Sequence, residues 1–218
     1  MTERGIKLAI NRMHFPVTTL GPGKRIGIWV QGCSIGCTGC ISMDMWPSAK
    51  PEIEVEKIVA KVRSWLRHAD GVTISGGEPF EQMDGVLELA DQLKKAGADT
   101  IFVFTGFEWD DIKGDLEQRP GVIDAIMTGP FQIDREPTKN LRGSDNQKLI
   151  CLTPRGRTMF SQYDTQAPNY ALDVMMLENG GVLFAGIPRA GDFRRLEKLM
   201  ADAGHIFKST EGRRSQAS

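Results

Sequence analysis

The sequence predicts an α/β protein whose strands run parallel in one sheet. Short apolar runs alternate with longer segments in which apolar residues recur every three or four positions, a pattern typical of buried strands followed by amphipathic helices. Gly- and Pro-rich turns separate these segments. Because strands that alternate with helices form parallel βαβ units, functional residues are expected at the carboxyl ends of the strands.

The predicted elements follow one another in a regular order. The first strand covers residues 25–30, directly after the turn Gly21-Pro-Gly23. Further strands are predicted at residues 71–75, 100–104, 122–127 and 148–152. Apolar stripes predict helices over 55–66 and 83–93, and a shorter polar helix is expected over 108–118.

The C-terminal part of the chain differs in pattern. Apolar runs at 171–177 and 182–187 flank an Asn179-Gly-Gly turn, which predicts a β-hairpin. A helix is expected over 192–203 and a polar, frayed tail from Ser209. We therefore divide the chain into a core at 1–152 and a C-terminal extension at 153–218.

Composition excludes several classes of function. The chain has 27 Lys and Arg against 28 Asp and Glu, for a net charge of −1, so no nucleic-acid partner is expected. No apolar run approaches the roughly 18–20 residues of a membrane helix, so no membrane partner is expected. The N-terminus lacks the apolar stretch of a secretory signal, which favours a cytoplasmic location.

Three of the four cysteines form a cluster. Cys33, Cys37 and Cys40 lie within eight residues, whereas Cys151 lies far downstream in an apolar strand. A disulfide would leave an odd thiol and is disfavoured in a reducing cytosol. A structural zinc site needs a fourth ligand, for which only Cys151 or one of three scattered histidines is available.

The remaining interpretation uses three thiolates. A four-iron cubane that is held at three corners leaves one iron open, and an open coordination position distinguishes reactive metal sites from structural ones. Glycines at positions 32, 36 and 39 allow a loop to wrap closely around such a cluster. Zinc and an electron-transfer cluster stay as alternatives at this point.

The spacing Cys-x3-Cys-x2-Cys resembles the signature of the radical S-adenosylmethionine (SAM) superfamily. This resemblance implies a partial (β/α) barrel and a [4Fe–4S] cluster whose unique iron binds the amine and carboxylate of SAM. It also implies reductive cleavage of SAM to a 5′-deoxyadenosyl radical, which removes a hydrogen atom from the substrate.

A Gly-Gly-Glu element follows the second strand of the predicted core. Taken alone, Gly76-Gly77-Glu78 is a plausible strand-to-helix turn, with Pro79 in the first helical turn. Beside the cysteine cluster it is similar to the superfamily element whose backbone and carboxylate hold the methionyl amine of SAM. This resemblance favours a binding role.

Further segments narrow the resemblance to the activating proteins of anaerobic ribonucleotide reductase, which are small glycyl-radical activases. They cover roughly residues 14–150 in the order of that family. The segments are Gly21-Pro-Gly-Lys-Arg25, the cysteine cluster, Ser75-Gly-Gly-Glu-Pro79, Phe104-Thr-Gly-Phe107, Asp124-Ala-Ile-Met-Thr-Gly-Pro-Phe131 and Arg142-Gly-Ser-Asp-Asn-Gln147.

The resemblance implies a set of site residues. The cluster ligands are Cys33, Cys37 and Cys40. The residues implied to contact SAM are Gly39, Cys40, Ile41, Gly76, Gly77, Glu78, Thr105 and Asn146. The implied partners are a glycyl-radical enzyme, such as anaerobic ribonucleotide reductase, and flavodoxin or ferredoxin as reductant.

The sequence also departs from the family pattern. Ile41 stands where an aromatic often follows the last cysteine, and Thr128 stands where the activases often carry an acid. About 65 residues follow the matched region, which keeps two alternatives open. One is a radical SAM enzyme that modifies a peptide or small molecule, and the other is a non-catalytic zinc or iron–sulfur module.

Overall fold

The computed structural model describes residues 5–176 and 182–207. The strands of its first half are β1 (Lys7–Leu8), β2 (Ile10–Val17), β3 (Arg25–Val30), β4 (Ile53–Glu54) and β5 (Gly71–Gly76). The strands of its second half are β6 (Ile101–Phe104), β7 (Ala125–Thr128), β8 (Lys148–Cys151), β9 (Leu172–Met176) and β10 (Val182–Gly186). The α-helices are α1 (Val55–Leu66), α2 (Met83–Lys95), α3 (Trp109–Glu117), α4 (Pro154–Phe160) and α5 (Asp192–Asp202). Three short 3-10 helices lie at Met43–Met45, Pro79–Gln82 and Ser161–Asp164.

One six-stranded sheet organises the protein, in the order β2-β3-β5-β6-β7-β8. The four central strands are parallel, and β2 and β8 pair antiparallel at its two edges. The predicted α/β class with a parallel sheet is therefore confirmed. In the described part of the chain β2 and β8 do not pair with each other, so the sheet is open rather than a closed barrel.

Helices α1, α2 and α3 cover one face of this sheet. Alternate strand residues such as Ile26, Ile28, Ile101 and Val103 pack against the apolar stripes of these helices in one buried cluster. The intervening residues face the other way, because successive side chains of a strand point to opposite faces. Phe102, for example, belongs to a separate cluster on the opposite face.

The C-terminal part of the chain covers that second face. Phe160, at the end of α4, is fully buried with its ring centroid 4.6 Å from that of Phe102. Strands β9 and β10 form a two-stranded antiparallel sheet of their own, which confirms the predicted hairpin strands. Its Met175 and Leu183 pack with Trp29 in a third buried cluster. The predicted Asn179-Gly-Gly turn and the tail from Ser209 lie outside the described residues.

The sequence analysis did not predict strand β2 or helix α4, nor the two-residue strands β1 and β4. Strand β2 has no clear alternation of apolar and polar residues, and it contains Pro16, which is tolerated because β2 lies at the edge of the sheet. Helix α4 is only seven residues long and begins at Pro154, with the Thr153 hydroxyl accepting a hydrogen bond from the Gly156 amide. Short helices carry too little periodicity to be recognised.

The amino end of the parallel sheet buries an arginine. The Arg25 side chain is 0% exposed. Its guanidinium donates to Thr73 Oγ1 at 2.6 Å and to the Val72 carbonyl at 2.6 Å, with Thr100 Oγ1 at 3.1 Å. It also lies 5.3 Å from the centroid of the Phe160 ring. Burial lowers the pKa of Arg25 to about 10, so this group stays charged at neutral pH.

Within residues 5–176 and 182–207, none of the helices has both the length and the apolar character needed to cross a bilayer.

Candidate functional site

A cavity of about 550 Å³ opens at the carboxyl end of the parallel sheet. Its volume is within the range of small-molecule sites in proteins. The three clustered cysteines line it, together with the segments that follow β5 and β6. The predicted site residues that line this cavity are Cys33, Cys37, Gly39, Cys40, Ile41, Gly76, Gly77, Glu78 and Thr105.

The cysteine loop leaves the end of β3 and is closed by its own backbone. The Gly32 amide donates to the Met45 carbonyl at 2.8 Å, and the Cys33 amide donates to the Trp46 carbonyl at 3.1 Å. These two bonds join the start of the loop to the segment that follows Cys40. Backbone hydrogen bonds therefore hold the two ends of the cysteine loop together.

Each cysteine sulfur has hydrogen-bond donors around it. Backbone amides reach Cys33 from within its own loop, and the Phe131 backbone reaches Cys37. The Ser42 amide lies 3.4 Å from Cys40 Sγ, and the Trp46 side chain also donates to that sulfur. Burial raises the pKa of all three thiols. Such donors are the outer groups that stabilise thiolates bound to iron.

The arrangement of the sulfurs suits a cluster better than a single ion. In the part of the chain that the structure describes, no three Cys, His, Asp or Glu side chains gather at one point as ligands of one metal ion would. A cubane does not require this, because each thiolate binds a different iron at its own corner. The donor set of three thiols on one cavity wall therefore fits a [4Fe–4S] cluster.

The Gly-Gly-Glu element is tied directly to the cysteine loop. The Gly77 amide donates to the Val30 carbonyl at 2.9 Å, and the Glu78 amide donates to the Gly32 carbonyl at 2.7 Å. A Cβ atom on Gly77 would lie 2.1 Å from the Gly32 carbonyl oxygen. Glycine is therefore required here so that the end of β5 can approach the cysteine loop.

The Glu78 carboxylate is buried, with 1% of the residue exposed. Its Oε1 accepts from the Phe80 amide at 2.9 Å and from Thr105 Oγ1 at 2.6 Å, and its Oε2 accepts from the Gly106 amide at 2.7 Å. Burial raises the pKa of Glu78, while these three donors act in the opposite direction. A carboxylate has about four acceptor positions, so one is left for a ligand in the cavity.

Gly39 and the loop after β7 complete the wall over the cysteines. A Cβ atom on Gly39, which has a φ of +79°, would lie 2.6 Å from Ile133 Cδ1. Phe131 and Ile133 thus approach the cysteine loop at a place where only glycine fits. Ile41 is 40% exposed on the same cavity.

Asn146 lies outside the lining of this cavity. Its Nδ2 donates to the Pro130 carbonyl at 2.7 Å, while its Oδ1 is buried without a hydrogen-bond partner. It lines a neighbouring polar groove instead. The adjacent Gln147 does line the cavity, and its Nε2 donates to the Gly129 carbonyl at 3.0 Å. The structure thus places Asn146 behind the loop that walls the cavity.

The sequence analysis missed several lining residues. Trp46 lines the cavity outside the recognised segments, and Phe131 lines it at the end of the recognised segment Asp124-Ala-Ile-Met-Thr-Gly-Pro-Phe131 but had no predicted site role. The largest omission is the C-terminal wall, a set of cavity-lining residues from the extension that no motif signals. The C-terminal wall consists of Tyr170, Phe184, Ala185, Gly186, Ile187, Pro188, Ala190, Gly191 and Arg194.

A parallel α/β sheet with a three-cysteine loop and a Gly-Gly-Glu segment around one cavity defines a radical SAM-type iron–sulfur enzyme. The model of the 4Fe-4S single cluster domain family matches residues 19–150. The chain belongs to this family and, within the radical SAM enzymes, to the activating proteins. Its cofactors are a [4Fe–4S] cluster and S-adenosylmethionine.

Curated relatives agree with this assignment. The chain is 31% identical over 144 residues to the anaerobic ribonucleoside-triphosphate reductase-activating protein of Salmonella typhi, covering 62% of this chain and 93% of that protein. It is 32% identical over 135 residues to the protein of that name from Enterobacteria phage T4, covering 59% and 85%. It is 30% identical over 142 residues to the pyruvate formate-lyase-activating enzyme of Staphylococcus aureus, covering 61% and 57%.

Among solved structures, QueE from Escherichia coli aligns with a TM-score of 0.40 and 25% identity, over 46% of this chain and 53% of that one.

Proposed function

We propose that this enzyme cleaves S-adenosylmethionine reductively to activate a glycyl-radical enzyme, such as an anaerobic ribonucleotide reductase. The observation that carries the proposal is the convergence of three thiols, a Gly-Gly-Glu segment and Thr105 on one cavity. Relatives that bear the name of activating proteins support the same reaction.

In this proposal Cys33, Cys37 and Cys40 hold three corners of the cluster. Among the described residues no fourth cysteine is placed to bind the remaining corner, because Cys151 lies in β8 and does not line the cavity. A cluster bound there would pass one electron from an external donor to SAM, so that a carbon–sulfur bond breaks into methionine and a 5′-deoxyadenosyl radical that takes a hydrogen atom from the substrate. The chain itself contributes binding, orientation and the exclusion of water.

The Gly-Gly-Glu segment would hold the methionyl end of SAM. Gly76, Gly77 and Glu78 lie beside the cysteine loop, and the open acceptor position of the Glu78 carboxylate suits a cationic amine. Thr105 orients that carboxylate through its 2.6 Å hydrogen bond. Thr105 therefore acts as a positioning residue in this proposal.

Three further residues have supporting roles in the proposed SAM site. Gly39 and Ile41 flank Cys40 and line the cavity, where they would contact SAM. Asn146 would act indirectly, because its side chain holds the Pro130 carbonyl of the loop that faces the cysteines.

The reaction needs a one-electron donor and a reducing compartment. A flavodoxin or ferredoxin in the cytoplasm would meet both requirements, and both belong to the proposal. The division of the chain into a core at 1–152 and an extension at 153–218 is also part of it, with the core carrying the cofactors.

Anaerobic reconstitution tests the proposal. The chain is loaded with iron and sulfide, reduced with dithionite and given SAM, and 5′-deoxyadenosine is measured with the iron content. Wild-type chain and Cys151→Ala should form a brown cluster and release 5′-deoxyadenosine. Replacing Cys33, Cys37 or Cys40 by Ala should abolish that release.

Two results would contradict the proposal. A colourless wild-type chain that retains zinc would indicate a non-catalytic module. Loss of the metal in Cys151→Ala would show that four thiolates are required and that no iron is left open for SAM.

A further inference from the structure

The segment that begins with Gly-Gly-Glu holds the stretch of chain that leads into Cys33. The Glu78 amide donates to the Gly32 carbonyl at 2.7 Å. A little further on, Gln82 Nε2 donates to the Gln31 carbonyl at 3.2 Å. Both donors are neutral amide groups, so these two contacts position Cys33 without bringing a charge close to it.

A charged side chain holds the chain on the other side of Cys33. The Ser34 amide donates to Glu81 Oε1 at 2.7 Å, and the Ser34 hydroxyl donates to the same oxygen at 2.6 Å. Glu81 lies in the 3-10 helix at Pro79–Gln82, outside the cavity lining, and is exposed to solvent. Among the described residues its carboxylate forms no salt bridge, and both of its hydrogen bonds come from the neutral Ser34.

The negative charge of Glu81 acts on the sulfur of Cys33. Burial raises the pKa of the Cys33 thiol, and the charges of Glu78 and Glu81 act in the same direction. A charge that disfavours a thiolate also disfavours an additional electron on a cluster bound through that thiolate, because both changes add negative charge at one place. Nearby charge is one of the quantities that set the reduction potential of an iron–sulfur cluster.

The contact with Glu81 also engages one backbone amide of the cysteine loop. The amides of Ile35 and Gly36 reach the Cys33 sulfur, whereas the Ser34 amide donates to Glu81. Amides that donate to cluster sulfurs raise the reduction potential, since they stabilise the added negative charge. The charge of Glu81 and its hold on the Ser34 amide therefore have the same sign, because each disfavours the reduced cluster.

We propose that Glu81 is a positioning residue that gives the cluster of this enzyme a lower reduction potential than the cysteine loop alone would give. It acts from outside the cavity, through Ser34 and the corner of the cluster held by Cys33. This inference rests on the proposed function, since the electron that cleaves SAM must come from a strongly reducing cluster. Glu81 follows Glu78 by three residues, so the segment that would bind SAM also adjusts the cluster.

A redox titration of the reconstituted chain without SAM tests the proposal. The electron paramagnetic resonance signal of the reduced cluster is measured at fixed potentials in wild type and Glu81→Gln, with dithionite as the electron source. The substitution keeps an oxygen that accepts from Ser34 and removes the charge. At a fixed potential, the ratio of reduced to oxidised cluster should rise about threefold. This difference should shrink at high salt, because Glu81 is exposed.

Three further variants separate the charge from the contact. Ser34→Ala removes one hydrogen bond but keeps the charge, so its cluster should titrate as that of wild type. Glu81→Ala removes both charge and contact, so its potential should rise at least as far as that of Glu81→Gln. Glu88→Gln removes a carboxylate on α2 that contacts Gln92 and Arg119 instead, and it should titrate as wild type.

The metal-free chain gives a readout that involves no iron. Amide hydrogen exchange at Ser34 should be several-fold faster in Glu81→Ala than in wild type, because the acceptor of that amide is lost. Equal exchange at Ser34 in the two chains would overturn the positioning role of Glu81.

The titrations can overturn the proposal in three ways. These are unchanged potentials in both neutral variants of Glu81, a shift of equal size in Glu88→Gln, and loss of the cluster in both neutral variants. The last result would show that the carboxylate is needed for assembly rather than for the potential. A wild-type chain that shows the expected shifts but releases no 5′-deoxyadenosine from SAM would contradict the proposed function alone.

Discussion

At its amino end the parallel sheet buries a guanidinium, and at its carboxyl end it buries a carboxylate. Arg25 is surrounded by hydroxyl and carbonyl oxygens, and Glu78 by two amides and the Thr105 hydroxyl. Among the described residues neither side chain is in a salt bridge, and the hydrogen-bond partners of both are neutral groups. The difference lies in what remains available for a ligand.

The amino end is closed and the carboxyl end is open. The ring of Phe160 covers Arg25, whereas Glu78 and Thr105 face a cavity. A buried ionisable group that is enclosed by its hydrogen-bond partners contributes to stability. One that faces a cavity with a free acceptor position is suited to bind a ligand. We therefore expect substitutions at the two ends to separate stability from activity.

The largest effect is expected at the amino end. Arg25→Met leaves the Val72 carbonyl and the two threonine hydroxyls without their donor, which should lower the free energy of unfolding by about 3 kcal/mol. Urea denaturation measures this loss. The adjacent exposed cation gives a matched control, Lys24→Met, which should change stability little. An Arg25→Met chain as stable as wild type would contradict the comparison.

A smaller effect, on activity rather than folding, is expected at the carboxyl end. Glu78→Gln keeps the shape of the side chain but removes the negative charge that would attract the SAM amine. SAM cleavage per cluster should fall about tenfold, or about 1.4 kcal/mol in activation free energy, while iron content stays unchanged. The control Glu88→Gln, on α2, should cleave SAM as wild type does. Unchanged SAM cleavage in Glu78→Gln would show that this side chain has only a structural role, linking the end of β5 to the segment after β6 through hydrogen bonds.

The hairpin of β9 and β10, which covers the carboxyl end of the sheet, allows a third test. Asp173→Ala removes the acceptor that holds the hairpin over the carboxyl end. Because these hydrogen bonds are partly exposed, we expect the free energy of unfolding to fall by about 1 kcal/mol. Amide hydrogen exchange should become faster in β10 and stay unchanged in α1 and α2. Asp202→Ala, at an exposed position of α5, is the control. Uniformly faster exchange in all elements would indicate a global rather than a local role.

The smallest effect concerns pH. Burial raises the pKa of Glu78 above its usual value of 4.5, so the folded metal-free chain keeps this proton at a pH where the unfolded chain has lost it. Stability should therefore fall as the pH rises from about 4.5 through the folded-state pKa, relative to Glu78→Gln. Urea midpoints of both chains across this range measure the difference. A difference that grows in favour of wild type with rising pH would contradict the raised pKa.

The carboxyl end was largely predictable from the sequence and the amino end was not. Cys33, Gly77 and Thr105 follow consecutive strands of a parallel fold, and such positions meet at one edge of the sheet whatever the details of packing. Arg25 stands at the start of a strand, where an exposed cation is the usual expectation. Its burial depends on Phe160, 135 positions away along the chain.

The same reasoning explains why the C-terminal wall was not foreseen. Periodicity and the turn residues predicted the strands of the hairpin, but nothing in a hairpin pattern states which surface it packs on. That placement depends on the Asp173 contact with Thr18 and Thr19, which are more than 150 residues away. Asn146 was assigned to the site because of its motif, and its side chain donates to the Pro130 carbonyl of the loop that walls the cavity, a placement that the motif does not indicate.

The two backbone hydrogen bonds that join Gly32 and Cys33 to Met45 and Trp46 have a consequence for the enzyme when oxygen destroys its cluster. In small zinc domains the metal organises the chain, and its removal unfolds the protein. Here two hydrogen bonds between backbone groups close the loop, and none of their atoms is a cysteine sulfur. The cluster-binding loop should therefore stay closed after oxygen has destroyed the cluster. A new cluster can then be assembled on the same polypeptide.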